Sequence, residues 1–103
     1  RAGDVQYGVI NCSSAGDNTI LSADVSNHIR VLHYTIIAAA AVNATWKSGA
    51  GTSLSGPLPL DAKGGACPSF DDGLFETAVN AALVLNLGSA VQVSGHFSYV
   101  LEA

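Results

Sequence analysis

"VQVSGHFSYVL", residues Val91–Leu101, reads as a β-strand with one wet side. Val91, Val93, Phe97, Tyr99 and Leu101 share one face of an extended chain. Gln92, Ser94, His96 and Ser98 share the other, and Glu102 continues the polar series. Period-two alternation built from β-branched and aromatic residues fits a sheet that is buried on one side only. Gly95 falls in the apolar series, where a missing side chain marks a bulge or a close approach of backbone.

The same pattern extends outward along the chain. "VNATWKS" (42–48) sets Val42, Ala44 and Trp46 against Asn43, Thr45 and Lys47, and "LVLNL" (83–87) sets Leu83, Leu85 and Leu87 against Val84 and Asn86. "QYGVINCS" (6–13) and "NTILSADV" (18–25) are weaker strands. Clusters of Gly, Asp, Asn and Ser separate the candidates: "SAGDN" (14–18), "SGAGTS" (48–53), "DAKGGACPS" (61–69), "DDG" (71–73) and "NLGSA" (86–90). These are turn residues. Pro57 and Pro59 place "SGPLPL" at a sheet edge or in a loop. In "FETAVNAALVLNL", Phe75, Val79, Ala82 and Leu83 also fit a helical stripe, so a helical turn competes with strand in its first half. Short strands at turn-to-turn spacing predict an all-β fold, a single-domain β-sandwich or jelly roll, with residues 1–8 as a short N-terminal arm.

"HIRVLHYTIIA" (28–38) differs from the rest. Ile29, Val31 and Ile37 are apolar on one face, and Leu32, Tyr34 and Ile36 on the opposite face. A strand apolar on both sides is covered on both sides. The core covers one; for the other, a neighbouring subunit is the simple candidate. Ile29, Val31, His33, Thr35 and Ile37 are therefore the expected self-association residues, and a homotrimer closing on its axis is the expected assembly.

Composition points the same way. Charged residues are 12% of 103, about half the usual share, while hydrophobic residues are 49%. A surface so poor in charge is expected to be partly hidden in an oligomer or assembly. The net charge is −4, and Arg1, Arg30, Lys47 and Lys63 are scattered, so no basic patch addresses nucleic acid or an anionic membrane. The longest apolar run, "IIAAAAV" (36–42), is far short of a spanning helix. The chain opens on Arg1 rather than Met, so it is expected to be trimmed, cleaved or part of a longer sequence. Cys12 and Cys67 lack the short spacing of a zinc or redox pair; two reduced thiols are the reading favoured over a bridge.

The residues offer little chemistry. His28, His33 and His96 have no metal-ligand spacing. Adjacent Asp71 and Asp72 point apart on an extended chain and read as a turn with Gly73. No Gly-x-Ser-x-Gly elbow is present, and "GAG" (49–51) lacks the strand and helix of a phosphate loop. The expectation is a non-enzyme with no cofactor and no metal. Trp46 and Tyr34 could stack on a sugar ring, although Trp46 shares its face with core candidates. Tyr7 is a candidate contact residue.

Taken together, "IRVLHYTI", "SGPLPL", "GLFETAVNAALVLNL" and "VQVSGHFSYV" resemble short reading frames of tailed bacteriophages and prophages. The match covers roughly Ile29–Val100 and consists of scaffold residues. Some such proteins are capsid decoration (cement) proteins, small β trimers that brace neighbouring subunits on the outer head surface. The resemblance implies a virion structural protein that binds major capsid protein, with Arg1, Asp4, Val5 and Tyr7 as the contact arm. A fibre-tip module recognising host glycans is the alternative. The two cysteines, His28 and His33 depart from the pattern.

Overall fold

A computed structural model describes residues 4–68 and 73–102. These contain ten strands and no helix: β1 (Gln6–Cys12), β2 (Gly16–Leu21), β3 (His28–Ala38), β4 (Val42–Ser48), β5 (Thr52–Ser53), β6 (Leu58–Leu60), β7 (Gly65–Ala66), β8 (Phe75–Glu76), β9 (Leu83–Leu87) and β10 (Val93–Glu102). One sheet runs β1-β10-β3, with β7 and β8 both on the far edge of β3. The other runs β2-β9-β4, with β5 and β6 both on the far edge of β4. All pairings are antiparallel.

The short edge strands come in collinear pairs. β5 and β6 pair with opposite ends of β4, and Pro57 lies in the gap between them; β7 and β8 likewise pair with opposite ends of β3. Counted as one broken strand each, they give sheet orders 1-8-3-6 and 2-7-4-5. This is the eight-stranded double-sheet order of a jelly roll. The two sheets close on a core that includes Ile10, Ile29, Val31, Ile36, Trp46, Leu83, Leu85, Leu87, Val93 and Phe97, each at most 1% exposed. The helical turn open for "FETAVNAALVLNL" does not form. Phe75–Glu76 is strand, Asn80 takes a left-handed φ of 61° in a turn, and β9 follows. Gly95 marks a close approach, since a side chain there would run into the carbonyl of Thr35 on β3.

The structure corrects the reading of β3. Its pairing with β10 slips between Ser98 and Tyr99: Ser98 faces His33 and Tyr99 faces Val31, which leaves Leu32 as the extra residue of a bulge. An extra residue reverses the phase of everything beyond it. Ile29 and Val31 point inward below the bulge, and Tyr34, Ile36 and Ala38 point inward above it. β10 keeps one phase throughout, so the two inward sets of β3 meet a single apolar face. The second apolar face is thus the same inner face seen after a one-residue slip, and it needs no neighbouring subunit. Leu32 is 6% exposed and lies outside the main core cluster.

Two polar ties sit outside the core. Arg30 Nη2 donates to Glu76 on β8 at 3.0 Å and its Nε to Glu102 on β10 at 2.7 Å, which ties both neighbours of β3 at one end. On the second sheet, Asp17 accepts from Asn86 at 2.8 Å and from Lys47 at 3.1 Å, linking β2, β9 and β4. The Asn86 amide, with help from Lys47, holds the Asp17 carboxyl below the ordinary aspartate range.

Deleting Leu32 removes the extra residue and should leave Ile29, Val31, Tyr34, Ile36 and Ala38 inward in a regular ladder, at no more than the ~1.5–3 kcal/mol of its own buried side chain. Deleting Thr35 should instead force one half of β3 out of phase and expose core side chains, at ~3–6 kcal/mol. Leu32→Met should cost under about 1.5 kcal/mol. Urea unfolding followed by the fluorescence of buried Trp46 compares the two deletions; equal costs would contradict the bulge. Since the Asp17 pKa is lowered on folding, its contribution to stability is present above the unfolded aspartate pKa and fades as pH falls through the lowered folded value. Lys47→Gln should raise the Asp17 midpoint in an NMR titration, and an unmoved midpoint would remove Lys47 from the account.

Candidate interaction face

The outer surface of the first sheet is set by the register of its three long strands. Tyr7 on β1 lies beside Ser98 on β10 and His33 on β3. Val9 lies beside His96 and Thr35, and Asn11 beside Ser94 and Ile37. Residues opposite one another in antiparallel strands point to the same side, so these three rows form one outward grid. None of its members is Asp, Glu, Lys or Arg. Tyr7 is 78% exposed, Val9 76% and Ile37 51%, whereas Tyr34, Ile36 and Ala38 on β3 and Val93, Phe97 and Tyr99 on β10, which alternate with the grid, are buried. Lys63 stands at the border, and the Arg30 ion pairs lie past the bulge. The second sheet is different, with Asp17 and Lys47 in the middle of its outer surface.

The grid holds what chemistry the described residues bring together. Cys67, just after β7, extends the middle row. Its Sγ lies 3.2 Å from Thr35 Oγ1 and 3.7 Å from His33 Nε2. The His33 and His96 rings are 5.4 Å apart, centroid to centroid, and tilted. No group of three His, Cys, Asp or Glu side chains among the described residues converges on a point where a metal ion could sit. His28 is elsewhere, with Nδ1 2.7 Å from the Thr77 carbonyl at the start of β3. The cysteines do not meet: both are free, Cys12 buried and Cys67 exposed. Burial pushes the Cys12 thiol above its ordinary pKa.

The expected self-association residues do not share a face. Ile29 and Val31 are fully buried in the core, while His33, Thr35 and Ile37 lie above the bulge and point outward. Of the expected contact arm, Tyr7 is a strand residue paired to Ser98; with Gln6 and Gly8 it belongs to β1 and is not free chain. Asp4 is exposed and Val5 partly buried ahead of the strand, and Arg1 lies outside the described residues. Val9 and His96 also belong to the grid, and the sequence reading does not single them out. Their signal was in the sequence, as the polar-side positions of two strands, but the pairing that makes them neighbours was not.

The stacking residues proposed for a sugar are mostly unavailable. Trp46 is fully buried and Tyr34 5% exposed, their rings 5.0 Å apart in the core. Phe70, a further aromatic that a glycan-binding reading of the sequence would use, lies outside the described residues. A shallow depression of about 360 Å³ at one end of the sandwich, lined in part by Asn43, Pro59, Asp61 and Ser89, has no aromatic wall.

No family model matches the chain, and no curated protein or solved structure does.

In the native protein Cys67 should react with a thiol reagent such as Ellman's within minutes, and Cys12 only after denaturant is added. Two fast equivalents would contradict the burial of Cys12.

Proposed function

We propose that the chain is a non-enzymatic structural protein that acts by surface contact, and that it decorates a phage capsid by binding major capsid protein on the outer head surface. The observation that carries this reading is the neutral outer grid, where Tyr7, Val9 and Ile37 stand exposed with no charged residue among them. A contact surface is depleted of charge and enriched in aromatic residues at its centre. The resemblance to small phage reading frames supplies the virion context. The jelly roll suits the role but does not select it, because the fold serves many functions. Glycan recognition has less support, since Trp46 and Tyr34 are in the core and Tyr7 is left as the one exposed Phe, Tyr or Trp among the described residues.

Self-association remains part of the proposal on new grounds. The case for a trimer rested on covering a second apolar face of β3, and the bulge removes that need. What favours association is the size of the grid. At roughly 33 Å² of sheet per outward-facing residue, three rows across three strands cover on the order of 300 Å². A stable protein contact buries about 800 Å² per partner. One copy therefore offers too little contact for firm attachment, and linked copies would hold by avidity.

The test is co-sedimentation with undecorated heads assembled from the coat protein of the same phage or prophage genome. Saturable binding that raises the temperature at which heads rupture is expected. Tyr7→Glu combined with Ile37→Glu should weaken binding at least tenfold. Absence of binding, or binding indifferent to these changes, would overturn the reading.

A further inference from the structure

The sheet edges are guarded unequally. The far edge of β3 is covered by β7 and β8, and that of β4 by β5 and β6 with Pro57 and Pro59 beside it. β2 carries Asp17 and a register slip between Thr19 and Leu21. β1 has neither device. Its seven residues, Gln6–Cys12, contain no charge and no proline, and its register with β10 is unbroken. Among the described residues no strand or backbone hydrogen bond lies along its outer side. A straight, uncharged edge strand of this length is a template for another strand.

We propose that β1 pairs antiparallel with β1 of a second copy of the chain, joining the two first sheets into one continuous sheet across a two-fold axis. The occupant follows from area and symmetry. The register that keeps all of Gln6–Cys12 paired puts Val9 on the axis beside the partner's Val9, and Tyr7 beside the partner's Asn11. Outer residues then meet outer residues, and the two neutral grids merge into one face of on the order of 600 Å². Across the axis each edge meets an equally uncharged strand, so no ion is desolvated. The inner side is already prepared, because the ring of Phe97 lies against Gly8 and Ile10 is buried, so the strand is fixed against its own core. An isologous pairing of this kind closes after two copies and does not propagate.

This proposal takes its self-association from the functional reading, but the two can fail separately. Light scattering and sedimentation of the purified chain, without heads, read the edge alone. A mass of twice 10.4 kDa at ~100 μM is expected. Val9→Lys, an exposed change that sets two ammonium groups face to face, should shift the dimer dissociation constant upward at least tenfold. Unchanged urea unfolding of the V9K monomer would show that the fold survives. As a positive readout, Val9→Cys in a Cys67→Ser background should oxidise to a covalent dimer, while Thr35→Cys in the same background should not. A monomer at millimolar concentration overturns the pairing, as does a trimer, or a dimer that V9K leaves intact and V9C does not cross-link. A monomer that still binds heads would defeat the pairing and spare the functional reading. A dimer that ignores heads would do the reverse.

Discussion

The pairing of β10 with β3 is the constraint on which the rest of the molecule depends. β10 presents Val93, Phe97, Tyr99 and Leu101 from one unbroken phase, and β3 must bring its own apolar residues to the same side. It has one residue too many to do so in a regular ladder. Leu32 absorbs the excess, at the cost of a local break in the hydrogen-bond pattern. Everything outside this seam is arranged to keep it closed. Arg30 ties β3 to both flanking strands, Gly95 lets the backbones approach, and Thr77 caps the seam by accepting from the Ile29 amide at 3.0 Å.

Much of this was legible in the sequence, for a physical reason. Half-buried antiparallel strands write their geometry into period two, and so Val42–Ser48, Leu83–Leu87 and His28–Ala38 have the same limits in the structure as in the pattern. Turn chemistry is equally local: "SGAGTS" turns at 49–51 and "NLGSA" bends at 88–90, whereas Gly16, Asp17 and Asn18 of "SAGDN" begin β2, and Asp71 and Asp72 of "DDG" lie outside the described residues. The bulge was not legible. An extra residue in an apolar strand produces the same string of letters as a strand covered on both faces, and only the partner strand distinguishes them. The sequence pattern of β3 therefore suggested an interface where the structure has a core.

The candidate face was half legible. The outward residues of β1 and β10 can be read from alternation, but their adjacency across β1, β10 and β3 depends on non-local pairing, with Tyr7 and Ser98 more than ninety positions apart in sequence. A neutral face does not announce itself by motif either; it shows only when the charges are seen to lie elsewhere. His33, His96 and Cys67 illustrate the point, since they have no informative spacing and yet stand side by side on the sheet.

The neighbouring placement of β1 and β10 has a further consequence. Gln6 is opposite Tyr99, so the chain enters and leaves the sandwich at one end of the same sheet. A domain with adjacent ends can be spliced into a surface loop of another protein as a bead on a closed stem, because little loop entropy is spent in joining them. The same adjacency permits circular permutation, with new ends cut in the Gly49–Gly51 turn on the other sheet, away from the neutral grid. The fold is thus portable, and its neutral outer face can travel with it into a host of quite different shape.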